Sequence, residues 1–266
     1  MPLTPFQREI ALLLASNRSE DSYLAGGAAL HIAPNSRRYS NDLDYFHDSI
    51  ERVASAFDAD SQLLAGAGCK VSVEMNQRGF IRAVVSRGAD ASKVEWAYDS
   101  AWRFMPPVRS ADAGVQLHPI DLAVNKMLAL VGRDEPRDFL DMLFIHEDIL
   151  PLAALLWAAV GKDPGFTPMS MLEITRRRGR YRPEDFSRLH LAQPIDLVAN
   201  KKVWLAALDE AESFIRSRPP EEAGCLYYSK SAGTFVLPAQ ASDAVPHFGS
   251  LGGVLPRITI ADYSDR

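Results

Sequence analysis

A chain of 266 residues, 47% hydrophobic and 24% charged, is long enough to bury a sizeable core as one large domain or two small ones. Its net charge of −5 excludes a surface that attracts nucleic acid as a whole, so any RNA contact must be local. Two cysteines, Cys69 and Cys225, exclude a disulfide framework or a zinc site built from cysteine alone.

Phe6, Ile10, Leu13 and Leu14 fall at helical spacing and predict an amphipathic helix over Phe6–Ser16. Met1–Asn17 lacks the basic start and small-residue cleavage site of a signal peptide, which makes the cytoplasm the expected compartment. Tyr23–Ala25 reads as a short strand running into Gly26-Gly27. These glycines have no side chains to obstruct their amides, so a turn there, leading into a helix over Ala28–His31, offers a cradle for phosphate oxygens.

Asp42-Leu43-Asp44-Tyr45-Phe46 follows, with the character of a strand. Asp42 and Asp44 then share a face, roughly 7 Å apart along the chain. Two like charges held together call for a counter-charge, and a divalent cation with hard oxygen ligands supplies one. A phosphate cradle beside a metal-binding carboxylate pair suggests nucleotide chemistry.

Ile50, Val53, Phe57 and Leu64 form the apolar stripe of a helix over Ile50–Ala65, stopped by Gly66 and Gly68. Lys70–Met75 and Phe80–Val85 read as strands of a hairpin turning at Gly79, and Asp90 reads as a loop residue. In Lys93–Tyr98 the residues Val94, Trp96 and Tyr98 share one face, and Glu95 lies on the other with Lys93 and Ala97. A mixed sheet with packed helices is therefore expected to about residue 118.

Pro119-Ile-Asp121 opens a helix ending at Gly132, and Pro136 opens the next, over Pro136–His146. The sequence then reads as mainly helical to Arg216, broken at Asp163-Pro-Gly165. Its longest apolar run, Leu150–Val160, is short of the roughly 20 residues needed to span a bilayer and reads as a buried helix. Residues 217–266 form a Pro/Gly/Ser-rich tail in which a short hairpin, Cys225–Tyr228 with Thr234–Leu237, competes with disorder. The expected division is 1–118, 119–216 and the tail.

Gly26-Gly27-x-Ala29-Leu30 followed by Arg38-x-Ser40-x-Asp42-Leu43-Asp44-x-Phe46 resembles the DNA-polymerase-β-type nucleotidyltransferases, in particular the AbiEii/AbiGii toxin branch of toxin–antitoxin and phage-defence systems. The resemblance implies an α/β (α+β) fold, a mixed sheet flanked by helices and followed by a helical lobe. It also implies transfer of a nucleoside monophosphate from an NTP to a tRNA end, another RNA or a protein side chain, with Mg²⁺ or Mn²⁺ as the metal and a separately encoded antitoxin as partner. Under it, Asp42, Asp44 and Glu95 hold the metal, with Glu74 the competing third carboxylate and a base role the alternative for Glu95. Gly26, Gly27, Arg38, Ser40, Lys126 and Arg133 serve the nucleotide, and Asp138 orients Lys126 or an arginine. Asp141 reads as an ordinary i,i+4 partner of Arg137.

Pro119-Ile-Asp-Leu-x-x-Asn125-Lys126 recurs as Pro194-Ile-Asp-Leu-x-x-Asn200-Lys201, but only the first copy precedes an Arg-Asp-x-x-Asp run, which selects Lys126. The run Arg176-Arg177-Arg178-Gly-Arg180-Tyr181-Arg182 reads either as an RNA-backbone grip, with Tyr181 stacking on a base, or as a solvated charged face. Two other functions stay open: a catalytically silent nucleotide- or partner-binding member of the same fold, and a two-metal phosphohydrolase.

Overall fold

The computed structural model describes residues 3–32, 36–192 and 194–256. They divide into two compact units, one formed by the described residues of 1–102, 106–122 and 183–195, the other by those of 103–105, 123–182 and 196–256. Residues 257–266 of the predicted tail lie outside the described residues.

The first unit is built on a mixed sheet of seven strands. In chain order these are β1 (Ser22–Ala25), β2 (Asp42–His47), β3 (Lys70–Gln77), β4 (Phe80–Arg87), β5 (Asp90–Tyr98), β6 (Val108–Ser110) and β7 (Gly114–Gln116). Their spatial order is β3-β4-β5-β2-β1-β7-β6. The central pair β2/β5 is parallel, while β1/β2, β3/β4 and β4/β5 are antiparallel. Asp90 opens β5, paired with Arg87, and is not a loop residue.

Alternation explains which face is buried. Leu43 and Tyr45 on β2, with Val94 and Trp96 on β5, are completely buried. They pack with Ile10 and Leu14 of helix α1 (Pro5–Leu14) and Val53 and Leu64 of α3 (Ile50–Gly66) in one core. Tyr98, on the same face by alternation, is 49% exposed at the end of its strand. Thr4 caps α1: its Oγ1 accepts from the Gln7 amide at 3.1 Å, and Gln7 Oε1 accepts from the Thr4 amide at 2.9 Å.

The chain passes into the second unit within α4 (Pro119–Gly132). There it forms α5 (Pro136–Asp148), α6 (Leu152–Lys162), α7 (Pro168–Arg177) and α8 (Leu197–Ser217). Residues 178–196 lack a long helix, contrary to the mainly helical expectation, and 183–195 belong to the first unit. The segment left open between hairpin and disorder forms a three-stranded antiparallel sheet, with β8 (Cys225–Ser229) between β9 (Thr234–Phe235) and β10 (Ala244–Phe248). Burial of Cys225, Leu226, Tyr227 and Phe235 supplies the apolar contact that a free two-stranded hairpin lacks. No single helix among the described residues is long and apolar enough to cross a membrane.

Candidate active site

β1 ends at Ala25, which stands opposite Asp44 on β2. The next residue, Gly26, turns the chain into the short helix α2 (Gly26–Leu30) at φ +60°, in the left-handed region that favours glycine. A Cβ placed there would overlap the Asp44 carboxylate, so backbone and carboxylate meet with no room for a side chain. At Gly27 a Cβ would stand 3.0 Å from Ser40 Oγ and 3.2 Å from a terminal nitrogen of Arg38. The glycine turn therefore faces Arg38, Ser40 and Asp44 together.

The segment carrying Arg38 and Ser40 is held on several sides. The Tyr39 amide donates to the His190 carbonyl at 2.8 Å, and the Ala192 amide donates to the Arg37 carbonyl at 2.9 Å. Gln7 Nε2, positioned by the α1 cap, donates to the Ser40 carbonyl at 3.2 Å. Ser40 Oγ in turn donates to Asp42 Oδ1 at 3.3 Å.

Asp42 and Asp44 are half-buried on the face of β2 opposite Leu43 and Tyr45. The parallel register sets Asp44 beside Glu95 and Asp42 beside Lys93. Glu74 lies on edge strand β3, with β4 and β5 between it and β2, a separation of roughly 14 Å at ordinary strand spacing. Strand order thus places Glu95, not Glu74, next to the aspartates. Glu95 has its own partner, however: Arg82, opposite it on β4, donates Nε–H to Glu95 Oε1 at 2.7 Å.

The two aspartates offer the hard oxygen donors that suit Mg²⁺. Among the described residues no group of three or more Asp, Glu, His or Cys side chains is arranged to hold a metal ion. The aspartate pair has the donor chemistry for a divalent ion, while Glu95 Oε1 is held by Arg82.

The second unit carries the remaining sequence-selected residues. Lys126 is only 7% exposed, not a rim lysine, and its Nζ lies 2.7 Å from Asp141 Oδ2 and 3.7 Å from Asp138 Oδ1. Asp138, fully buried, accepts two bonds from Arg133, Nε at 2.7 Å and Nη2 at 3.0 Å. Asp141 is thus a partner of Lys126, whereas Arg137 pairs with Glu135 at 2.7 Å. The second copy of the Pro-Ile-Asp-Leu sequence is built differently. Asp196 is the N-cap of α8, accepting from the Val198 and Ala199 amides, whereas Asp121 lies inside the first turn of α4.

In the arginine run, Arg176 bonds Glu212 at 2.5 Å, and Arg178 pairs with Asp134 at 3.2 Å. Tyr181, half-buried, donates to Asp134 Oδ1 at 2.5 Å and packs its ring on Phe139 at 5.7 Å, so both its hydroxyl and its ring have internal partners. Burial, with the Asp134 carboxylate beside it, raises the Tyr181 phenol above its ordinary range. Arg177, Arg180 and Arg182 are exposed.

Sequence reasoning missed the polar support behind β2. Arg18 and Asp60, both without side-chain exposure, pair at 2.5 Å. Asp60 also accepts from Trp96 Nε1 at 2.7 Å and from Asn17 Nδ2 at 2.8 Å, while the Arg18 guanidinium lies 4.5 Å over the Tyr45 ring. The available signal was Asp60 itself, which interrupts the apolar stripe of α3 between Phe57 and Leu64. On the same side of β2, burial and the charges of Arg18 and Arg52 push the fully buried His47 down to about 3.

The sequence model described as nucleotidyl transferase AbiEii toxin, type IV toxin–antitoxin system, matches residues 11–222. No curated protein matches the sequence. Among solved structures, MenT4, a nucleotidyltransferase toxin from Mycobacterium tuberculosis, is similar at TM-score 0.50 and 17% identity, over 81% of this chain and 83% of its own. A Helicobacter pylori protein described as a candidate nucleotidyltransferase gives TM-score 0.48 and 14% identity over 80% and 96% of the two chains. JHP933, also from Helicobacter pylori, gives 0.47 and 15% over 79% and 91%.

Proposed function

The chain belongs to the AbiEii family of nucleotidyltransferase toxins, and from that premise we propose a Mg²⁺-dependent transfer of a nucleoside monophosphate from an NTP to an RNA end, tRNA first among the acceptors. The observation that carries this reading is the abutment of the Gly26 backbone on Asp44, with Arg38 and Ser40 beside Gly27. Asp42 and Asp44 would hold the metal, which when bound supplies positive charge to the phosphate oxygens. Gly26 and Gly27 would present backbone amides to the triphosphate at the start of a helix, Arg38 adds a cation, and Ser40 orients Asp42.

In the reaction an acceptor oxygen forms a bond to the α-phosphorus, the bond from that phosphorus to the bridging oxygen breaks, and pyrophosphate leaves. The acceptor proton passes to a base. Glu95, adjacent to Asp44 in register, serves that role or completes the metal set once it releases Arg82. For Lys126 and Asp138, the ion pairs within their own unit support a positioning role. As a toxin of a type IV system, the protein works against a separately encoded antitoxin.

The test is incubation of purified protein with Mg²⁺, α-labelled NTPs, tRNA and cell extract. Label on RNA supports the reading; label on protein redirects the acceptor; NTP binding without any label overturns it. One observation favours a second reading, a catalytically silent nucleotide binder: Glu95 is charge-paired with Arg82. That reading expects calorimetric, metal-dependent NTP binding with no turnover, and cell toxicity unaltered by Asp44→Ala.

A further inference from the structure

The first unit holds a cavity of 560 Å³ whose lining includes Tyr39, Ser40, Asn41, Val84, Lys93 and His190. It borders the site already described through Ser40, which donates to Asp42. Its floor continues the carboxylate face, because Val84 stands opposite Lys93 and Lys93 opposite Asp42, and residues in register across a sheet project to the same side.

The strand order gives this position a meaning. The glycine turn leaves β1, on one flank of β2; Val84 and Lys93 stand on β4 and β5, on the other flank. An in-line displacement places the attacking oxygen and the departing pyrophosphate on opposite sides of the phosphorus. If the triphosphate seats at Gly26 and Gly27, the acceptor approaches from the side of this cavity.

The lining also states what kind of acceptor fits. Tyr39 and His190 bring aromatic residues, the type on which bases stack, to the lining, and Asn41 brings an amide that can both donate and accept. Lys93, which is exposed, provides one cation for a phosphate. The volume is at the scale of a small-molecule pocket, room for one nucleotide and not for a folded surface. We infer that this cavity receives the terminal unpaired nucleotide of a single-stranded RNA acceptor, with its base on Tyr39 and its phosphate at Lys93. The inference rests on the nucleotidyl-transfer reading for its chemistry, but the binding itself is measurable alone.

The experiment uses the full chain and a fluorescently labelled single-stranded RNA of mixed sequence, titrated by anisotropy, with calorimetric NTP titration in parallel. Tyr39→Ala and Lys93→Gln are expected to weaken RNA binding, roughly tenfold for the tyrosine, with NTP affinity unchanged in Tyr39→Ala. Tyr39→Phe, which keeps the ring, is expected to bind RNA like the parent, and Lys93→Gln to lower the salt dependence. In the transfer assay the same variants should raise the acceptor KM and leave kcat in place.

RNA affinity indifferent to both substitutions overturns the inference, as does transfer of label to a protein acceptor with no RNA binding. RNA binding sensitive to both, with no transfer by the parent protein, supports the cavity and overturns the transfer reading. Transfer to RNA at the parental acceptor KM in both variants does the reverse.

Discussion

Gly26 meets two constraints at once, a left-handed backbone and a carboxylate where its Cβ would be. Gly26→Ala is therefore expected to displace Asp44 and to cost about 1–3 kcal/mol of stability as well. Transfer assays should show a loss of at least about 100-fold, on the scale of losing a preorganised electrostatic contact, with thermal melts recording the stability term. His47 sets a different constraint. Its folded-state value, about 3, lies below the ordinary 6.5, so between those values the unfolded chain binds a proton that the folded chain does not. Stability should thus fall as pH drops from 6.5 towards 3, by up to about 1.4 kcal/mol per pH unit from this one side chain. Urea midpoints across that window check it, and His47→Phe should flatten the slope.

Two helices carry buried charges whose loss should be felt through the elements they join. Asp60 of α3 accepts from Arg18 behind the strand that bears Asp42 and Asp44, so Asp60→Leu is expected to destabilise by about 3–5 kcal/mol by stranding Arg18. Trp96 fluorescence reports the same change directly, since its indole N–H loses its acceptor. In the second unit, Lys126→Met leaves Asp141 without its 2.7 Å partner and Asp138 without its more distant one. A loss of similar size is expected, read as an earlier chemical unfolding midpoint. If Lys126 instead served phosphate alone, Lys126→Met would lower NTP affinity with the midpoint unmoved.

For the molecule as a whole, the transfer reading makes nucleotide binding a folding-linked event. Added NTP should raise the melting temperature only with Mg²⁺ present, by about 2.7 kcal/mol of stabilisation at a hundredfold excess over Kd. EDTA should abolish the shift and transfer together, and Asp44→Ala should show neither even with excess Mg²⁺. A shift that persists in EDTA would mean that the glycine turn and Arg38 bind the nucleotide without the aspartates.

By itself the sequence determined what depends on neighbours along the chain. The alternation of Asp42 and Asp44 with Leu43 and Tyr45, the glycine turn, the amphipathic first helix and the β5 alternation were all legible, because side-chain period and backbone freedom are local properties. Tertiary structure alone decided what depends on which strands and helices meet. It put Glu95 beside Asp44 and Glu74 beyond two strands, gave Glu95 to Arg82 and turned Lys126 inward to Asp141. Strand order and register are set by long-range burial, and a charged side chain's partner follows from them; neither has a period to read in one dimension.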